Sequence, residues 1–593
     1  MTSECEHVDA VVIGAGFGGL YALHRLRNGA GLTVRLYEMG DDVGGTWFWS
    51  RYPGARCDTE SYVYCYSFSR ELSQEWNWSG RYPEQEELFA YLSHVADRFD
   101  LRRDIQFSTK VTRAAYDEQA CRWIVETDNG ERVSAQYLVT AIGLLASAPY
   151  LPAIEGLSDF QGEAFHTGRW PKEPVDLAGK RVGVIGTGST GVQTIPKLAK
   201  VAEELFVFQR TPQFAVPARD DVVDRAFLDE VKTRYDELWA QVQWSIGGYP
   251  WQHNGRSALE DKPEERAAVF DELWAEGGFK FLYGSYRDLL TDRRSNDFVA
   301  EYVRARIRER VTDPKTAEKL LPVDHPFGAR RPIVEADYYE TYNLPHVHLV
   351  DLRNGPIERV TETGIKTAEA EYPLDVIVFA TGFDAVTGPY LRFDIEGRNG
   401  VTLAEKWSCG PASFLGTAVS EFPNLLMVTG PGSTFGNFPV AIEHDVNWIA
   451  GLIEHMREHS YASVESDREA EQKWMADILY RSERTLIPLA DSWLTGANIP
   501  GKPTQPLIDF GSFTNYRHAC ERVVSEGYSG FHFGTTPDRL GLGAATSSAE
   551  PGTGAGADTE AVHTNGTART NGAAPTAAAS TNGVAPAQAG GER

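Results

Sequence analysis

Six cysteines in 593 residues, at positions 5, 57, 65, 121, 409 and 520, form no Cys-x-x-Cys pair and keep no regular spacing. Their placement excludes a disulfide framework and a zinc site built from ligand-spaced thiols. Positive charge is also scarce: 57 Lys and Arg face 83 Asp and Glu, a formal net charge of −26. A nucleic-acid or anionic-membrane binder would carry a basic footprint instead. No apolar run approaches the length of a bilayer span, and the first residues, MTSECEHVDAVVIGAG, show no basic stretch followed by an apolar one and a small-residue cleavage site. These absences predict a soluble protein of the reducing cytoplasm, without nucleic acid, membrane or metal among its partners.

Aromatic residues are missing from one region only. From Gly534 onward there is no Phe, Trp or Tyr, and Ala, Gly, Thr, Ser and Pro dominate, with Thr-Asn-Gly at 564, 570 and 581. Such a stretch cannot bury enough apolar surface to offset its ordering entropy, so 534–593 reads as a disordered tail. The whole chain is 42% hydrophobic and 11% aromatic, which supplies cores for about three or four units at the usual domain size.

Two stretches repeat one grammar. Asp9-Ala-Val-Val-Ile13 is a short branched run that leads into Gly14-Ala-Gly-Phe-Gly-Gly19. Leu20, Leu23 and Leu26 then recur at helical spacing, before Leu32-Thr-Val-Arg-Leu-Tyr37 and Glu38. Strand, glycine turn, helix, strand and acid is the order of a dinucleotide-binding βαβ unit. The order returns at Arg181–Ile185, Gly186-Thr-Gly-Ser-Thr-Gly191, a helix through Leu198, and Glu204–Phe208. The glycine pattern alone is weak, since 56 glycines in 593 residues produce it about half a time by chance. Context lifts it: Gly14 makes the tight turn, Gly16 admits a pyrophosphate, Gly19 lets the helix pack closely, and Glu38 is placed to accept from ribose hydroxyls.

The second unit differs where the acid should stand. Its last strand ends in Phe208-Gln-Arg-Thr211, so Arg210 replaces a carboxylate, beside Thr211. An acid would repel a 2′-phosphate whereas a guanidinium pairs with it, which points to NADPH over Gly186, Gly188, Ser189, Thr190 and Gly191. The bland alternative for Arg210 is a surface ion pair.

Between 220 and 324, Phe227, Val231, Tyr235, Leu238 and Val242 step by three or four residues among charges, as an amphipathic helix does. This segment reads as a helical insertion attached to the NADPH unit. Strand-like runs resume at Asp375–Thr381 and Asn424–Thr429 as returning strands of the two nucleotide-binding domains. The predicted architecture is α/β, with two doubly wound Rossmann-type domains. The FAD domain takes 1–147 and 381–533, the NADPH domain 148–219 and 325–380, with the insertion at 220–324. Two dinucleotide sites imply electron transfer from a nicotinamide to a flavin, and the missing dithiol leaves oxygen as the expected acceptor.

Between the glycine turns stands Phe160-Gln-Gly-Glu-Ala-Phe-His-Thr-Gly-Arg-Trp-Pro171. Here the chain resembles the type I Baeyer–Villiger monooxygenases, whose pattern F-x-G-x-x-x-H-x-x-x-W-P/D is met at Phe160, Gly162, His166, Trp170 and Pro171. The resemblance runs from residue 8 to 533, through Gly44-Gly-Thr-Trp47, Arg51-Tyr-Pro-Gly-Ala-Arg-Cys-Asp58, Ala380-Thr-Gly-Phe-Asp384 and Ser492-Trp-Leu-Thr-Gly496, and leans toward the phenylacetone and steroid monooxygenase branch. It implies FAD, NADPH, O₂ and a ketone, reacting through a flavin peroxy anion and its adduct with the carbonyl. By the same match Arg331, within Pro326–Pro332, is the catalytic arginine. Asp58 is its partner and a cofactor contact, and Arg330 stands where Lys is usual beside the 2′-phosphate. Thr46 and Trp47 meet the flavin cofactor, Trp493 lies near the nicotinamide nucleotide, and His166 has a linker role. A guanidinium suits the task because it stabilises negative oxygen without giving up its proton.

The function implied is conversion of a ketone to an ester, or of a cyclic ketone to a lactone. Alanine-rich composition and the Thr-Asn-Gly tail suit secondary metabolism, with an expected terpenoid substrate such as the tricyclic ketone oxidised by the pentalenolactone D synthases. A broad-range ketone or steroid monooxygenase, a flavin monooxygenase of nitrogen or sulfur, and a nucleotide-binding protein without catalysis are the alternatives. The oligomeric state stays open, a monomer included.

Overall fold

The computed structural model describes residues 6–145, 148–220 and 223–535. The tail read at 534–593 lies, apart from its first two residues, outside them.

The first apolar run is β1 (Glu6–Ile13), whose last four side chains are all buried because the strand is covered on both faces. It pairs in parallel with β2 (Val34–Tyr37) on one side and with Arg132–Thr140 on the other. Antiparallel Arg122–Thr127 pairs with the first half of Arg132–Thr140, and parallel Leu425–Met427 takes over along its last three residues. The result is an eight-stranded sheet completed by a strand from far down the chain.

A second sheet holds five parallel strands in the order Val347–Asp351, Glu204–Gln209, Arg181–Ile185, Val376–Phe379 and Glu163–His166. Val376–Phe379 is buried at every residue, because Val376 and Val378 face a helical layer while Ile377 and Phe379 pack against Val360 and Ile365 of a small antiparallel sheet. Of the two returning strands, Val376–Phe379 lies directly beside Arg181–Ile185, which leads into the second glycine turn, whereas Leu425–Met427 is separated from β1 by Arg132–Thr140. Each glycine turn follows the carboxyl end of a parallel strand, where open α/β sheets take their ligands.

The insertion departs from the sequence reading in two respects. The stretch read as one helix is two, Arg225–Thr233 and Tyr235–Gln243, broken at Arg234 (φ −125°, ψ 24°). The second restarts with Asp236 and Glu237 in its first turn, where the helix dipole favours acids. Moreover, Leu228, Val231, Tyr235, Trp239 and Val242 sit in the core beside the first sheet, whereas Phe270, Leu273, Trp274, Val303 and Ile307 pack behind the second. The insertion is attached to both units rather than to the NADPH unit alone. Periodicity identifies the apolar face of a helix but not the core that receives it. No helix among the described residues is long and apolar enough to cross a membrane.

Candidate active site

The first glycine turn is closed so tightly that side chains are excluded. Gly14 has φ +99°, and a Cβ there would stand 2.6 Å from the Ala141 carbonyl oxygen; one on Gly19 would stand 1.7 Å from that of Gly14. The helix Phe17–His24 begins at Gly16 with no side-chain cap, so its first N–H groups remain available to an anion. A cavity of about 240 Å³ opens there, lined by Gly14, Gly16, Glu38, Thr46, Trp47 and Trp49 among others. Glu38 is buried, and its carboxylate accepts the Ala15 and Gly40 N–H groups, each at 2.7 Å. Burial pushes its carboxyl upward, and those backbone bonds act against the rise. The acid thus fastens the glycine turn as well as facing the cavity, and each oxygen keeps a lone pair for a ribose hydroxyl. These features fit a flavin dinucleotide.

The second turn repeats the geometry. Gly186 has φ +109° with a Cβ position 2.4 Å from the Ala380 carbonyl oxygen, and Gly191 would meet Gly186 at 2.3 Å. Gly188 faces open space, and the helix Ser189–Leu198 starts from it without a side-chain cap. Thr187 donates its hydroxyl to the Thr211 carbonyl at 3.1 Å, which ties this turn to the strand end bearing Arg210. Arg210 is exposed and Arg330 half-buried. The Arg330 Nε is buried without a partner, and neither guanidinium forms an ion pair with a described carboxylate. Burial lowers the Arg330 pKa, and Arg210 adds to the lowering against the pull of Asp324 and Asp491. Two cations held close with an unused buried donor suit a phosphate dianion.

Asp58 and Arg331 meet across a separation of 273 residues. The guanidinium grips the carboxylate with both Nη groups, Nη2 donating to Oδ1 at 2.6 Å and Nη1 to Oδ2. Burial disfavours the Arg331 charge, but the Asp58 carboxylate outweighs it and holds the guanidinium protonated beyond its ordinary range. The Phe279 ring lies 4.6 Å from the guanidinium carbon, and the rings of Tyr249 and Tyr283, both from the insertion, pack at 4.8 Å beside this wall.

The Asp58 loop also reaches the second unit, a contact the sequence reading missed. Tyr52 donates its hydroxyl to Gln193 at 2.6 Å, and Gln193 donates to the Arg56 carbonyl at 3.0 Å. Gly54 (φ +86°) lies so close to the Gln193 carbonyl that a Cβ would stand 2.4 Å away. The glycine in Arg51-Tyr-Pro-Gly54 was the available signal. Trp493 packs against Phe435 at 6.0 Å beside the loop Gly430–Phe438. His166 bonds the Tyr150 carbonyl through Nε2 at 3.2 Å and accepts the Gly168 N–H on Nδ1 at 3.0 Å, which assigns the proton to Nε2. Both ring nitrogens are thus spent on linker backbone.

A buried acid fixes the start of the loop that borders the cavity at Thr429. Asp445 accepts the Thr429 N–H at 3.0 Å, the Ser433 hydroxyl at 3.2 Å and the Tyr516 hydroxyl at 2.9 Å. Burial pushes its carboxyl up to about 7 against those three bonds. Because the folded value is raised, the stability tied to this proton is fully present below the ordinary value of 3.8 and is lost as pH rises through about 7. Over that window the loss approaches about 1.4 kcal/mol per pH unit. Melting temperatures from pH 5 to 8 should therefore fall less steeply in Asp445→Asn than in the unaltered protein, and parallel curves would contradict this.

Two dinucleotide turns, a cavity at the first and a charged pair held by an aromatic wall define a two-cofactor oxidoreductase. Residues 8–227 match the family of flavin-binding monooxygenase-like proteins. A Baeyer–Villiger monooxygenase of Pseudooceanicola batsensis is 47% identical over 88% of this chain and 95% of its own length. A phenazine N-monooxygenase of Lysobacter antibioticus is 44% identical over 91% and 99%. The crystal structure of cyclohexanone monooxygenase from Rhodococcus sp. Phi1 bound to NADP⁺ superimposes with a TM-score of 0.87 at 44% identity, covering 90% of this chain and all of that one. The chain belongs to the type I Baeyer–Villiger monooxygenase family.

Proposed function

We propose that this FAD- and NADPH-dependent monooxygenase inserts one atom of O₂ beside the carbonyl of a cyclic ketone and releases a lactone. The observation that carries the reading is the doubly bonded Asp58–Arg331 pair under the Phe279 ring. Bound FAD would supply the electron path from NADPH to O₂. Gly14, Gly16, Gly19, Glu38, Thr46, Trp47 and Asp58 would hold that group. Gly186, Gly188, Ser189, Thr190, Gly191, Arg210, Thr211, Arg330 and Trp493 would hold NADPH. Arg331 stays charged through the reaction and stabilises negative oxygen, while Asp58 fixes its direction. His166 serves the linker. The same reading assigns 1–147 with 381–533 to FAD, 148–219 with 325–380 to NADPH, and 220–324 to the insertion.

The finer reading is a terpenoid cyclic ketone of secondary metabolism, supported by the alanine-rich composition. A second reading, oxidation at nitrogen, draws on the phenazine N-monooxygenase relative. Enzyme, FAD, NADPH and oxygen-18 gas with a panel of simple and terpenoid cyclic ketones and phenazines separate them by mass spectrometry. A lactone carrying one labelled oxygen is expected. Labelled N-oxide with no labelled lactone would overturn the ketone reading.

A further inference from the structure

Two residues after Asp58, Glu60 is wholly buried beside Arg81, which is only 5% exposed, with the Arg81 Nη2 3.0 Å from Oε1. Buried pairs of this kind are poor devices for stability, because desolvation consumes the Coulombic gain. This one is also incompletely satisfied, since Glu60 Oε2 and Arg81 Nε are buried without partners. Its remaining bonds have one direction. Arg81 Nη1 donates to the carbonyls of Ala218 at 3.0 Å, Arg219 at 3.2 Å and Glu276 at 2.6 Å. Tyr82 donates its hydroxyl to Glu60 Oε1 at 3.1 Å.

What these groups hold is the turn before Phe279. The helix Pro263–Glu276 ends at Gly277 and Gly278, both in the left-handed region with φ +69° and +64°. Gly278 lies directly on the cluster: a Cβ there would stand 2.0 Å from the Tyr82 hydroxyl, 3.0 Å from Glu60 Oε1 and 3.1 Å from Arg81 Nη2. Its N–H donates to the Pro217 carbonyl at 2.9 Å. The next residue is the ring against the Arg331 guanidinium. One short loop thus carries both Asp58, which grips Arg331 from one side, and Glu60, which sets the wall on the other.

We propose that Glu60 and Arg81 are positioning residues that lock the Gly277–Gly278 turn and so fix Phe279 and Arg331 for oxygen transfer. This rests on the monooxygenase reading above. Neither residue touches the reacting atoms; they set where the guanidinium stands relative to Asp58. A misplacement at such a distance costs the productive step more than it costs binding.

The test compares FAD-loaded wild type, Glu60→Gln and Tyr82→Phe. Tyr82→Phe removes one hydroxyl and keeps the ion pair, so it guards against a folding failure in the first variant. Lactone formed per NADPH consumed should fall about tenfold in Glu60→Gln and about threefold in Tyr82→Phe, the lost electrons appearing as hydrogen peroxide. FAD content should be unchanged. Amide hydrogen exchange over 277–283 should accelerate in both variants, a readout independent of turnover. Wild-type lactone yield and wild-type exchange in folded Glu60→Gln would overturn the proposal, and if that variant does not fold, the same result in Tyr82→Phe would do so. Should wild type make no lactone, the functional reading fails while exchange still decides the lock.

Discussion

Replacing Arg331 by alanine should cut lactone formation by about a thousandfold while leaving FAD bound, because a preorganised charge at a developing oxyanion supplies effects of that size. The FAD turn lies on other elements and makes no bond to the guanidinium. Arg331→Lys keeps a charge but loses the two-point grip on Asp58, so it should recover only part of the loss. Alanine would also strand the Asp58 carboxylate in a site where it is 13% exposed, which adds local strain to the chemical defect. FAD absorbance, NADPH consumption and lactone yield measured on one preparation separate the two. A fully active Arg331→Ala enzyme would remove Arg331 from the mechanism.

The second large effect concerns the nicotinamide cofactor. Arg210→Ala should raise the KM for NADPH about thirtyfold and leave that for NADH within about twofold, as expected for one charge-assisted phosphate contact. Arg330→Ala should act in the same direction, and its effect should combine non-additively with that of Arg210→Ala if both grip one phosphate. Two observations favour this over a surface ion pair: neither residue is paired with a described carboxylate, and the Arg330 Nε lies buried and unused. Equal losses with NADPH and NADH would mean the residues support the fold rather than the phosphate.

Much of this was readable in residue order because it is local. A glycine turn, its flanking strand and helix, and the Glu38 or Arg210 that follows each lie within a few turns of chain, where neighbours set backbone geometry. The Phe160–Pro171 pattern is equally compact. The partnership of Asp58 with Arg331 came from resemblance, since 273 residues separate them and no periodicity spans such a gap. Tyr52 on Gln193, Arg81 beneath Glu276 and Phe279 over Arg331 were not seen at all.

The division between the two levels has a physical cause. Chain order settles the strands and helices around the two glycine turns and which of those turns demand glycine, since these depend on short-range sterics and on the spacing of apolar residues, whereas the break at Arg234 was not readable from it. It also settles the choice of acid or base at each strand end. Which core receives the helices Arg225–Thr233 and Tyr235–Gln243, and which buried charges hold the turn before Phe279, is decided only when the two sheets and the insertion pack together. Those contacts join distant segments whose approach costs chain entropy and is stabilised by the burial of the whole core, so no local stretch encodes them.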